Sequence, residues 1–197
     1  MTLKPDFNTV KEYVRERLEK ELDPRLCYHD IRHTLDDVLP ATARLAERED
    51  IGGEDLNLLL TGALFHDIGY MEQYDNNEPI AVQMAEDTLP GFGYTPNQIE
   101  VVSRIILATR MPQKPSDLLE EIMCDADLDS LGRNDFFILS MKLHKELCTF
   151  SRYISVEEWP RLQLAYLESH TYFTNAAKTL RNEFKRKNIE ELRIIAK

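Results

Sequence analysis

The apolar run from Leu56 to Phe65 closes on His66-Asp67, and that junction constrains the fold more than any other stretch of the chain. A carboxylate beside such a run is costly to bury unless it is paired or bound to a metal. Gly69 follows directly and predicts that the helix stops there. Both side chains would then stand on the last turn of a buried helix, where they can address one cation. An isolated His-Asp dipeptide is ordinarily a cap or a ring-orienting pair. Two further stretches weigh against that reading here.

The rest of the chain also reads as helix. Phe7, Val10, Tyr13, Val14, Leu18 and Leu22 recur at helical spacing and stop before Pro24. A second helix is expected from His29 or Asp30 to Glu49, with a kink or break near Val38-Leu39 imposed by Pro40. Gly52-Gly53 is a turn that leads into the most apolar helix, Glu54 to Ile68. Further helices are expected over Pro79 to Leu89, Pro96 to Thr109 behind a Thr95 cap, and Ser116 to Ile122, which feeds an acidic segment, Cys124 to Asp129. Asp135 to Phe150, Ser155 to Glu168 and Phe173 to Ile195 complete the set.

No strand-like alternation and no internal repeat interrupts these helices, glycine is scarce and the turns are short. The fold class expected is therefore all-α, a single compact helical bundle. With 197 residues, 43% of them hydrophobic, the chain can bury one substantial core. One domain over 1–197 is expected, with a metal-site core at about 26–135 and C-terminal helices at about 135–197.

A net charge of −11 argues against nucleic-acid partners and anionic membrane surfaces. Cys27, Cys124 and Cys148 lie far apart without a CxxC pattern, as reduced intracellular thiols do. The start, Met1 to Asp6, is polar and lacks the apolar segment of a signal peptide, and no run approaches the length of a membrane span. A soluble cytoplasmic chain is expected. The basic run Arg181, Lys185, Arg186 and Lys187 on the last helix reads as a solvated face.

The chemistry gathers in two more stretches. Tyr28-His29-Asp30-Ile31-Arg32-His33 places two histidines four apart, on one face of a helix. Asp36 and Asp37 follow one turn later and could accept the second ring N–H that a ligating histidine must place. The segment Cys124 to Gly132 sets Asp125, Asp127 and Asp129 in alternation behind Ile122-Met123. Its likeness to a calcium loop is superficial, because the glycine and the terminal glutamate are out of register.

In order, these stretches spell H…HD…D, and from Tyr28 to Gly132 the sequence resembles the HD-domain metal-dependent phosphohydrolase superfamily. The resemblance implies that His33, His66, Asp67 and Asp127 hold a divalent metal, with Asp125 the alternative to Asp127. Ala126-Asp127-Leu128 matches the family's usual context for the last ligand. Dinuclear relatives add histidines after the HD pair, whereas none occurs here between His66 and His144; Asn77 and Thr109 lie where such ligands would be expected. One metal ion is therefore expected, which argues against the dinuclear cyclic-di-nucleotide hydrolases. Manganese, iron, magnesium and zinc all suit the ligands, and mixed nitrogen and oxygen ligation favours the first two.

Such an ion would activate water for in-line attack on phosphorus. The Tyr28-to-Asp36 segment is similar to a stretch of cyclic nucleotide phosphodiesterases, which implies that His29 is the proton donor to the leaving oxygen. Its alternatives are a fifth ligand and a surface histidine. Asp67 counts among the catalytic residues, as does Glu72, with Glu78 the alternative for orienting water. Arg110, Lys114 and Arg133 flank the site and could bind substrate phosphate, although ordinary ion pairing is the competing role for each. His144, His170 and Trp159 read as packing or capping residues. The function expected is hydrolysis of a small phosphoester or nucleotide. The alternatives are a cyclic nucleotide phosphodiesterase and a non-catalytic, metal-stabilised sensor or interaction module, and a homo-oligomer is open in each case.

Overall fold

The structure is a computed structural model that describes residues 5–197; Met1 to Lys4, part of the polar start, lie outside the described residues. Among the described residues nine α-helices follow one another: α1 Phe7–Glu21, α2 Leu39–Arg48, α3 Gly53–Phe65, α4 Asn77–Thr88, α5 Pro96–Ala108, α6 Leu118–Asp127, α7 Phe136–Phe150, α8 Trp159–Ser169 and α9 Asn175–Ile195. Among the described residues there is no strand, and no helix is long and apolar enough to cross a membrane. The chain is an all-α bundle.

The apolar run sits at its centre. Leu58, Leu59, Thr61, Gly62, Ala63, Leu64 and Phe65 are all buried, so α3 has no solvent face over its last turn. Helices α1, α2, α5 and α6 pack around it. Gly62 lets α5 come close, since a Cβ there would strike the Ile105 side chain. The polar group of Thr61 is satisfied by the Asn57 carbonyl at 2.7 Å and the Tyr94 hydroxyl at 2.8 Å.

Four local expectations need correction. Pro40 does not simply kink the second helix. The chain runs as a π-helix over His33–Val38, and Leu39 N–H donates to the Thr34 carbonyl five residues back before α2 begins. The wider turn ends where Pro40 can enter the first turn of α2, at which a missing N–H costs nothing. Gly69 is not a helix stop either. Helix α3 ends at Phe65, and Gly69 lies in a 3₁₀ turn, Ile68–Met71, where any Cβ would collide with the Asn77 carbonyl at the start of α4.

The helix expected over Ser116 to Ile122 instead starts behind an Asp117 cap and takes in the acidic segment as far as Asp127. Finally, the basic run is only half solvated. Arg181 binds Asp129 through two bonds of 2.7 and 2.8 Å, and Lys185 is buried, donating to the carbonyl and Nδ1 of His170. Arg186 and Lys187 pair with Glu190 and Glu183 on the surface.

Candidate metal centre and adjoining cavity

Three elements bring four side chains to one point. His33 opens the π-helix, His66 and Asp67 follow the end of α3, and Asp127 closes α6. His66 Nε2 lies 3.1 Å from Asp67 Oδ2 and 3.5 Å from Asp127 Oδ1. His33 Nε2 lies 3.5 and 3.4 Å from the same two atoms. Donor atoms bound to one ion at 2.0–2.2 Å stand roughly 3.0–3.5 Å apart, so the spacing fits a shared cation. His33 Nε2, His66 Nε2 and Asp67 Oδ2 are buried and have no hydrogen-bond partner among the described residues. Leaving three buried polar atoms unsatisfied in one spot is costly, and a divalent ion would satisfy all of them. The residues therefore fit the metal that the H…HD…D pattern implies.

The tautomer and charges agree with this fit. His66 Nδ1 donates to the Ala63 carbonyl at 2.9 Å, which leaves Nε2 with its lone pair toward the cluster. Burial would push the Asp127 carboxyl up, but the His33 and His66 rings outweigh it and hold the group well below the usual carboxylate range. Asp67 is also lowered, its burial outweighed by His66. Both carboxylates thus stay ionised. The same two anions raise His66 against its own burial.

Asp36 and Asp37 do not orient the rings. Asp36 is exposed, and Asp37 pairs with Arg133. Nor does Asp125 compete with Asp127. Two residues apart on a helix, they point to nearly opposite sides. Asp125 accepts from the Phe173 and Thr174 backbone N–H groups and the Thr174 hydroxyl, each at 2.8 Å, and so anchors the start of α9. Asp129 serves Arg44 and Arg181. The three alternate aspartates have three separate tasks.

His29 stands beside the cluster, its ring 5.6 Å from that of His33. Its Nδ1 is 2.5 Å from Glu146 Oε1, and the second oxygen of Glu146 accepts from the Tyr28 and His29 backbone N–H groups at 2.8 and 3.1 Å. Glu146 is fully buried. It fixes Nδ1 as the donor and leaves Nε2 free, 3.5 Å from the Tyr70 hydroxyl, while the Tyr70 ring stacks on the imidazole at 4.4 Å. Burial works against protonation of His29, but Glu146 and the nearby Asp67 outweigh it and raise its pKa above the ordinary value. Glu146 escaped sequence reasoning, although a signal exists. It stands three residues after Leu143 and four before Phe150, a carboxylate beside the apolar stripe of α7.

A cavity of about 420 Å³ opens onto His29, Asp67, Asp127 and Tyr70. Asn77, Glu78 and Thr109 line it, so the two positions where further histidines would be expected do face the site, without imidazoles. Asn77 Oδ1 and Glu78 Oε2 are buried and unpartnered among the described residues. Glu72 is exposed and does not line the cavity. The turn that Gly69 makes carries Glu72 outward, and the first residues of α4 take its place.

The three expected phosphate binders also lie elsewhere. Arg133 is held by Asp37 and Asp135 in a different depression. Arg110 bonds to Asn76 Oδ1 at 2.9 Å and, with Lys114, borders a separate groove. Among the described residues lining the cavity, Arg152 is the only Lys or Arg; it was missed because it belongs to the loop after α7. His144 and His170 are packing residues. His144 Nε2 donates to the Ile154 carbonyl at 2.8 Å, and His170 is the acceptor for Lys185.

Comparison with known proteins agrees with this geometry. The HD domain family matches residues 30–130. An uncharacterised protein of Clostridium beijerinckii is 29% identical over 118 residues, which are 58% of this chain and 73% of that one. A predicted HD superfamily hydrolase from an uncultured Thermotogales bacterium superposes with a TM-score of 0.65 at 21% identity, covering 96% of this chain and 91% of that one. Bacillus subtilis YpgQ in complex with ADP gives 0.66 at 19% identity, covering 95% and 93%. A Lactobacillus plantarum structure gives 0.68 at 16%, covering 98% of each chain. With that family match spanning residues 30–130 and its histidines and aspartates gathered in one buried cluster, the chain belongs to the HD-domain family.

Proposed function

We propose that this chain is a metal-dependent phosphohydrolase that acts on a small phosphate ester or nucleotide. The observation that carries the proposal is the set of buried, unsatisfied atoms of His33, His66 and Asp67, joined by Asp127, at the head of a cavity that also holds His29. A divalent ion held by those four residues would supply Lewis acidity and water of lowered pKa. His29, locked by Glu146 with Nε2 toward the cavity, donates a proton to the leaving oxygen. Glu146 and Asp67 favour its protonated form, the form that task requires. Glu78, rather than Glu72, is placed to hold water. The Asp67 carboxylate serves as ligand, and Arg152 at the cavity can meet a phosphate oxygen.

The ADP bound by the similar Bacillus subtilis protein supports a nucleotide among the candidate substrates. A cytoplasmic protein whose partner is a small phosphorylated molecule, with neither nucleic acid nor membrane, belongs to the same proposal. The test is metal analysis of the purified chain followed by a hydrolysis panel. The panel holds phosphomonoesters, nucleoside mono-, di- and triphosphates and cyclic nucleotides, each with manganese, iron, magnesium or zinc. About one ion per chain is expected, with turnover of one substrate class. Two tight ions would overturn the mononuclear reading. No ion and no turnover would leave a helical sensor or interaction module.

A further inference from the structure

The walls that α7 and α8 give the cavity are chemically unlike the metal end. Leu143, Leu147, Trp159, Leu162 and Tyr166 carry no charge, and one polar side chain, Gln163, stands among them. Gln163 is only 7% exposed.

The orientation of its amide is fixed by a relay. Indole nitrogen can only donate, and Trp159 Nε1 donates to Ser140 Oγ at 3.0 Å. Ser140 Oγ in turn donates to Gln163 Oε1 at 3.1 Å. Gln163 Nε2 is therefore the free end of the side chain, and no acceptor among the described residues bonds to it. Gln163 lines the cavity, and a ligand acceptor there would bond to this free N–H.

We propose that Gln163 is the specificity-determining residue of the cavity. Its amide, held as a donor by Ser140 and Trp159, selects phosphate esters whose uncharged organic group bears a hydrogen-bond acceptor, a ring nitrogen or a carbonyl oxygen. The inference rests on the hydrolase reading and narrows its substrate class. Phosphate belongs at the end with His29 and the metal ligands; the organic group lies along α7 and α8. Ser140 acts as a positioning residue. Sites built to bond a particular substrate atom reject analogues that lack it more strongly than apolar pockets reject shape.

The test compares kcat/KM for naphthylmethyl phosphate with that for its quinolinylmethyl isomers, in which one ring CH becomes nitrogen. The full chain is used with its metal. Wild type is expected to favour one isomer by about 3- to 10-fold, the worth of one neutral hydrogen bond. Gln163→Leu should bring that ratio close to unity. Ser140→Ala, which frees the amide to turn, should reduce it in part. Taking the ratio in each protein cancels differences in leaving group and ring polarity. An equal preference in wild type and Gln163→Leu, or no preference in wild type, overturns the proposal. If no ester turns over, the hydrolase reading fails by itself. Calorimetric binding of the same esters to wild type and Gln163→Leu then still decides the role of Gln163.

Discussion

The proposed function divides single side chains of this site into metal ligands and a proton donor, and the division can be tested residue by residue. His29→Asn should lower kcat by about 10²- to 10⁴-fold with metal content unchanged, because His29 faces the cluster without joining it. Glu146→Gln should lower kcat less and also leave the ion in place, read by metal analysis beside kinetics. Asp127→Ala should abolish stoichiometric metal binding. Asp125→Ala should keep the ion but cost roughly 1–3 kcal/mol of stability in urea titration, since it strips a buried hydrogen-bonded anchor from α9. The reverse pattern would show that the two aspartates had been exchanged. The convergence of His33, His66, Asp67 and Asp127 was legible because each sits in a short motif. Glu146 was not, because its partner lies 117 residues away and nothing local marks the pairing.

Helices were legible as far as periodicity reaches, and their ends were less so. Periodicity could not show that α6 continues through the acidic segment to Asp127, or that a π-turn absorbs Pro40. Gly69 carried a local signal for a helix stop, but its purpose is the approach of α4, a contact between elements. Gly69→Ala should therefore cost roughly 1–3 kcal/mol through steric overlap and displace Asn77 and Glu78, which thermal unfolding and a raised KM would report. At the junction of α8 and α9, His170 is pushed down to about 4 by burial and then by Lys185. The folded state disfavours its protonation, so stability is full above the ordinary histidine range and falls as pH drops from about 6.5 to about 4. Urea midpoints at about pH 7 and about pH 5 should differ less in His170→Gln than in wild type.

For the whole molecule, all-α architecture followed from composition and period, while the cavity did not. Its wall is assembled from α7 and α8, whose placement depends on packing rather than pattern. Since the proposed ion binds the folded state alone, saturating metal at about 100 times its dissociation constant should add about 2.7 kcal/mol. For a chain of this size that raises Tm by about 5–11 °C over a chelator-treated sample.

The buried link between Glu146 and His29 bears on how this fold can change its task. The family match ends at residue 130, yet Glu146 lies beyond it, on the same helix that presents Leu143 and Leu147 to the cavity. Grafting a foreign α7 to retune substrate choice would therefore also loosen His29, the proposed proton donor. Recognition and chemistry share one helix, and a workable graft has to carry a carboxylate at position 146.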